Sequence, residues 1–151
     1  MNICILGAGG WGTALGIILN SNKHKVTLWE YDKEYAHTIN EYRENFYYLP
    51  KVKIPARITI SSDINAAVKD KDLIVVATPT QFIRGVIEQV SDIDFNNRLI
   101  LSVSKGIENH SLMTVSQIFN DVFKNISKKI SAYFQVPLMQ KKLQKKSPQQ
   151  L

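Results

Sequence analysis

A chain of 151 residues with 44% hydrophobic and 21% charged residues can bury one domain with a real core, or one domain plus a tail. Its net charge of +6 is not spread over that domain: six lysines and no acid lie from Lys128 onward, and residues 1–127 carry 13 basic and 13 acidic side chains. The basicity belongs to the end of the chain, which argues against a folded nucleic-acid interface.

Asn2–Leu6, "NICIL", is short, apolar and followed by glycine, so it reads as a buried strand. "GAGGWG" follows, and Trp11–Asn22 reads as a helix with small residues toward a sheet. Lys25–Trp29 reads as a second strand. Asp32–Asn45 begins with a capping aspartate and keeps helical spacing. Arg57–Ser61 is a third predicted strand, and "DINAAVKD" a short helix capped by its aspartate. Asp72–Thr78 is a continuous apolar strand stopped by Pro79, and Thr80–Val90 is a helix. Arg98–Ser104 is a further strand and Ser111–Phe123 a further helix. Strands alternating with helices predict an α/β protein with a doubly wound parallel sheet of the Rossmann type, because near-continuously apolar strands need helices on both faces. After Ile130 the alternation stops.

Little else points elsewhere. The single cysteine, Cys4, cannot form an internal disulfide and reads as a small core residue. No run approaches the roughly 18 apolar residues of a membrane span. The N-terminus lacks a basic stretch and its apolar run ends at glycine, so no signal peptide and a cytoplasmic setting are expected. His24, His37 and His110 read as surface or loop residues, and no Cys/His cluster points to a metal.

The first strand–turn–helix carries the chemistry. Gly7, Gly9 and Gly12 form G-x-G-x-x-G between a strand and a helix. The first glycine permits the tight turn, the second lets backbone approach a pyrophosphate, and the third lets the helix pack on the strand. The helix N-terminus then offers unpaired N–H groups to the phosphates. At the end of the second strand, Glu30 stands where a carboxylate accepts from adenosine ribose hydroxyls and repels a 2′-phosphate, favouring NAD over NADP; otherwise it is a solvated loop acid. Asp32 reads as the helix cap.

"ICILGAGGWGTAL", "VTLW", "INEYRENFYYLPKVKIP", "LIVVATPTQFIRGV" and "SVSKGIE" together resemble bacterial-type NAD(P)-dependent glycerol-3-phosphate dehydrogenase, from residue 2 to about 131. The resemblance implies a cofactor, NAD or NADP, and a substrate, glycerol 3-phosphate or dihydroxyacetone phosphate. It implies that Gly10 and Trp11 contact the cofactor at the glycine loop, where the family often has Ser in place of Gly10. It places Tyr48 near the cofactor and Lys105 against both nicotinamide and substrate, while Pro79 shapes the loop facing the nicotinamide. Tyr31 replaces a basic residue or histidine of many members, which again leans toward NAD. No specific nucleic acid and no membrane is implied, and the full-length family admits homo-oligomers.

The resemblance divides the chain into a coenzyme-binding domain over 1–131 and a basic segment over 132–151. The family continues with a Gly-Pro-Ser segment and then a helical domain that supplies the catalytic lysine; neither is read here, so no catalytic residue is assigned. The codons available to Tyr133–Pro137, regrouped by one base, can encode Leu-Ser-Gly-Pro, and the expectation is that residues from about Ala132 are an out-of-frame reading. Without that domain, dinucleotide binding without turnover is expected. Two rivals are a non-catalytic dinucleotide-binding module, against which Lys105 and Tyr48 argue, and a nucleic-acid or membrane-surface binder using the terminal lysines, for which no aromatic interleaving is present.

Overall fold

The computed structural model describes residues 1–91 and 98–123. Five parallel strands, β1 (Asn2–Leu6), β2 (Lys25–Trp29), β5 (Thr59–Ser61), β6 (Leu73–Val76) and β7 (Leu99–Ser102), form one sheet in the order β5-β2-β1-β6-β7. A separate antiparallel pair is made by β3 (Glu44–Asn45) and β4 (Leu49–Lys53). The helices are α1 (Gly10–Ser21), α2 (Lys33–Tyr42), α3 (Ile64–Val68), α4 (Thr80–Glu88) and α5 (Val115–Val122).

The apolar strands alternate between two cores. Ile3, Ile5, Val26, Leu28 and Val75 point to the face that also buries Ile39 of α2 and packs Leu15 and Leu19 of α1. Cys4, Leu6, Ile74, Val76 and Ile100 point to the opposite face, with Ala67, Ile83, Ile87, Ile118 and Phe119 from α3, α4 and α5. Two covered faces explain why no polar alternation marks these strands in the sequence. Burial pushes the Cys4 thiol up to about 12, with Lys71 acting in the opposite direction, so it stays a neutral packing group.

The predicted doubly wound sheet is present, with three local corrections. The second helix stops at Tyr42, not Asn45, because Arg43 turns into the left-handed region (φ 53°). Its guanidinium is drawn back to the carbonyls of Pro55 and Ile58, both at 2.6 Å. The residues that follow enter the β3–β4 pair, which the sequence reading did not anticipate. The last described helix starts at Val115 rather than Ser111: Leu112 is left-handed (φ 56°), and Thr114 with Gln117 closes a capping box. The expectation for 132–151 lies outside the described residues.

Candidate nucleotide-binding edge

From β1 the chain crosses to β2 and β5 on one side, and to β6 and β7 on the other. The reversal leaves a crevice at the carboxyl ends of β1 and β6, the place where open α/β sheets bind ligands. The strand ends are level: Leu6 is paired with Trp29 and Val76, and Val76 with Ser102. Hydroxyls stitch that edge together. Thr78 Oγ1 donates to the Leu6 carbonyl at 2.9 Å, and Ser104 Oγ to the Thr78 carbonyl at 2.6 Å.

The three fingerprint glycines meet different demands. Gly7 has φ +116°, and a β-carbon on it would stand 3.0 Å from the Ala77 carbonyl carbon. A β-carbon on Gly12 would run into the Gly7 carbonyl oxygen and lie 3.2 Å from Ala77 Cβ. Both hold backbone against backbone. Gly9 is the opposite case: an added β-carbon would meet nothing within 4 Å. Gly9 is also the N-cap of α1, with no side chain capping the helix and no acid in its first turn. First-turn N–H groups have no partner within their own helix. The open surroundings of Gly9 thus lie at the positive end of a 12-residue helix, an arrangement that suits an anion.

Gly10 is crowded by a contact from elsewhere. A β-carbon there would come within 2.5 Å of the Tyr48 carbonyl oxygen. The strap Phe46–Tyr48 between β3 and β4 thus lies directly on the start of α1. Trp11 and Tyr48 are both well exposed beside it, at 59% and 57%. Tyr35 stacks on Tyr47 with ring centroids 4.6 Å apart and meets Tyr48 edge-on at 6.2 Å.

Glu30 follows β2 at the same edge and is only 4% exposed. Its Oε1 accepts from the Asp32 N–H at 3.1 Å. Burial raises its carboxyl above the usual range, the Asp32 N–H opposes that shift, and the Asp32 charge adds to it. Asp32 caps α2, accepting from the N–H groups of Glu34 and Tyr35, both at 2.9 Å. Tyr31, between the two acids, is fully outside the core.

Pro79 and Lys105 stand across the crevice. Pro79 is the N-cap of α4, with φ −55° and ψ 140°. Lys105 is exposed after β7, and its carbonyl accepts from Thr80 Oγ1 at 2.7 Å. Gly106 then turns with φ +109°. Farther along this loop, Gln81 Nε2 donates to the Ile107 carbonyl at 2.8 Å. Arg84 forks onto both Glu108 oxygens at 3.0 and 3.2 Å from Nε, and reaches Asp121 at 2.6 Å from Nη1. The Arg84 guanidinium, and after it Ser111, hold the Glu108 carboxyl below its usual value. The structure therefore gathers Gly7, Gly9, Gly10, Trp11, Gly12, Glu30, Tyr31, Tyr48, Pro79 and Lys105 along one edge of the sheet.

Two residues in this region escape a reading by motif. Asn45 is 0% exposed, and Thr13 is buried beneath the glycine loop. Asn45 Nδ2 donates to Thr13 Oγ1 at 2.8 Å and to the Ala8 carbonyl at 2.6 Å. The only sequence signal is a small amide just after a helix, inside "ENFYYLP".

A family profile described as NAD-dependent glycerol-3-phosphate dehydrogenase N-terminus matches residues 2–133. The chain belongs to this family. Among curated relatives, the glycerol-3-phosphate dehydrogenase [NAD(P)+] of Bacillus subtilis is 41% identical over an alignment of 129 residues that covers 82% of this chain and 37% of the relative. That of Leptospira biflexa serovar Patoc is 39% identical over 148 residues, 98% of this chain and 44% of the relative. Among solved structures, glycerol-3-phosphate dehydrogenase from Coxiella burnetii superposes with a TM-score of 0.75 at 26% identity, over 81% of this chain and 37% of that one. This member of the NAD-dependent glycerol-3-phosphate dehydrogenase family thus spans about two fifths of the length of its curated relatives. Among the described residues no helix is long and apolar enough to cross a membrane.

Proposed function

We propose that this chain is the coenzyme-binding part of a glycerol-3-phosphate dehydrogenase, with the dinucleotide laid across the carboxyl edge of the sheet. The observation that carries this reading is the open space at Gly9 on an uncapped helix N-terminus, at the point where strand order reverses. The pyrophosphate sits on the first turn of α1, with Gly9 giving it room and Trp11 and Tyr48 forming the lip. The adenosine ribose reaches Glu30 and Tyr31. A carboxylate there accepts ribose hydroxyls and repels a 2′-phosphate, so NAD is preferred to NADP.

The nicotinamide end lies toward Pro79 and Lys105. Bound cofactor supplies the hydride exchanged with C2 of dihydroxyacetone phosphate or glycerol 3-phosphate. Lys105 offers a positive charge to the substrate phosphate, its backbone anchored where its carbonyl accepts from Thr80 Oγ1. Proton transfer at the C2 oxygen needs an acid–base group, which the family places in a helical domain beyond the residues described here. The residues described supply the dinucleotide side of that chemistry.

Titration of the chain with NADH and NADPH, followed by nicotinamide fluorescence, tests the reading. Saturable binding, with NADH tighter than NADPH, is expected. Absence of saturation with either nucleotide rejects it.

A further inference from the structure

Asn45 uses its whole carboxamide. Nδ2 donates to the Ala8 carbonyl at 2.6 Å and to Thr13 Oγ1 at 2.8 Å. Oδ1 accepts from the Tyr35 hydroxyl at 2.6 Å and from the Tyr48 N–H at 3.1 Å. The Tyr35 oxygen in turn accepts from the Tyr47 N–H at 3.0 Å. The amide cannot be turned over, because that would set its oxygen against the Ala8 carbonyl and its NH2 against the Tyr48 N–H. One buried side chain therefore joins the glycine loop, α1, α2 and the aromatic strap.

The bond to Ala8 bears on the phosphate site. A trans peptide is planar, and its N–H points opposite to its C=O. No peptide bond among the described residues is cis. Fixing the Ala8 carbonyl toward Asn45 therefore fixes the Gly9 N–H in the opposite direction. Gly9 is the residue whose surroundings are open. The other half of the amide holds the Tyr48 backbone, whose carbonyl oxygen crowds Gly10.

We propose that Asn45 is a positioning residue of the dinucleotide groove: its carboxamide sets the Ala8–Gly9 peptide plane for a pyrophosphate and locks the Tyr47–Tyr48 strap to that plane. The proposal rests on the dinucleotide-binding reading for its ligand but not for the coupling itself. Asn45→Asp keeps size and acceptors but has no N–H to give the Ala8 carbonyl, and places negative charge beside it. Tyr35→Phe keeps the ring and its stack on Tyr47 while removing one bond to Oδ1 and the acceptor of the Tyr47 N–H.

The experiment takes the full chain as wild type, Asn45→Asp and Tyr35→Phe. NADH affinity, the urea midpoint and ligand-free amide hydrogen exchange are measured on each. Asn45→Asp is expected to weaken NADH by about tenfold or more per folded molecule, and Tyr35→Phe by a smaller factor. Asn45→Asp is also expected to speed exchange in both segments 8–13 and 46–49, and Tyr35→Phe in 46–49. A purely structural role lowers the urea midpoint and leaves the affinity of the folded fraction alone, and that result overturns the proposal. If Asn45→Asp does not fold, unchanged affinity and unchanged exchange in Tyr35→Phe overturn it. If wild type itself fails to bind NADH, the dinucleotide reading falls; faster exchange in both segments then still supports the coupling, and faster exchange in neither rejects it.

Discussion

The carbonyl oxygen of Tyr48 rests so close to Gly10 that a β-carbon there would come within 2.5 Å of it. The two residues belong to different units: one opens the first helix, the other lies in the strap between β3 and β4. Gly10→Ser should therefore either lift the strap or strain it, at a cost of about 1–3 kcal/mol. Urea unfolding measures the cost, and a variant as stable as wild type with unchanged exchange over 46–49 would contradict this geometry.

Gly9 and Gly12 should respond oppositely to alanine. At Gly12 the new methyl meets the Gly7 carbonyl oxygen, so Gly12→Ala is expected to lose several kcal/mol or to fail to fold. At Gly9 it meets nothing, and φ is −65°, which alanine adopts freely. Gly9→Ala should match wild type in stability or exceed it by up to about 1 kcal/mol. It should nonetheless bind NADH less tightly, because the methyl occupies the space assigned to the pyrophosphate. Paired melting and titration experiments check both halves.

Glu30 makes a pH prediction. Its folded carboxyl titrates above the usual value of 4.5, chiefly through burial. The folded state then holds the proton more tightly than the unfolded one, so this group's contribution falls as pH rises from 4.5 through the raised value. Glu30→Gln should remove that cost and raise the urea midpoint at pH 7, with the gain vanishing below pH 4.5. The same change should narrow the preference for NADH over NADPH. A Glu30→Gln chain that is less stable than wild type at pH 7 would reject the burial argument.

Glu108 runs the other way. Arg84 and Ser111 hold its carboxyl below 4.5, so its stabilising contribution is present above 4.5 and is lost as pH falls through the folded value. Arg84→Met should lower the urea midpoint at neutral pH and flatten its decline in acid. The loop that carries Lys105 should become more open to proteolysis in the same variant. An acid profile identical to wild type would show that the Arg84–Glu108 pair contributes nothing.

The parallel sheet was legible because its strands are buried on both faces and read as unbroken apolar runs. The glycine fingerprint was legible because backbone contact leaves no substitute for glycine at Gly7 and Gly12. The β3–β4 pair was not. β3 is two residues long, β4 is "LPKVK" with four exposed residues, and a proline sits inside it. What fixes that pair is long-range: Arg43 reaching Pro55 and Ile58, and Asn45 reaching Ala8 and Thr13. The end of α2 was missed for a related reason, since an arginine rather than a glycine takes the left-handed position. The covering of Glu30 was equally hidden, because local sequence shows a carboxylate at a strand end and not what closes over it.

The chain has two tryptophans, and the fold assigns them to different worlds. Trp29 is 4% exposed at the end of β2, its indole N–H donating to the Ser62 carbonyl at 3.1 Å. Trp11 stands on the lip of the crevice in contact with water. Their emission therefore separates by colour: a blue component from the core and a red one from the groove. An oxidised nucleotide entering the crevice is expected to act first on the red component, whereas unfolding moves the blue one. One emission spectrum distinguishes an occupied groove from a lost fold, with no label added to the protein.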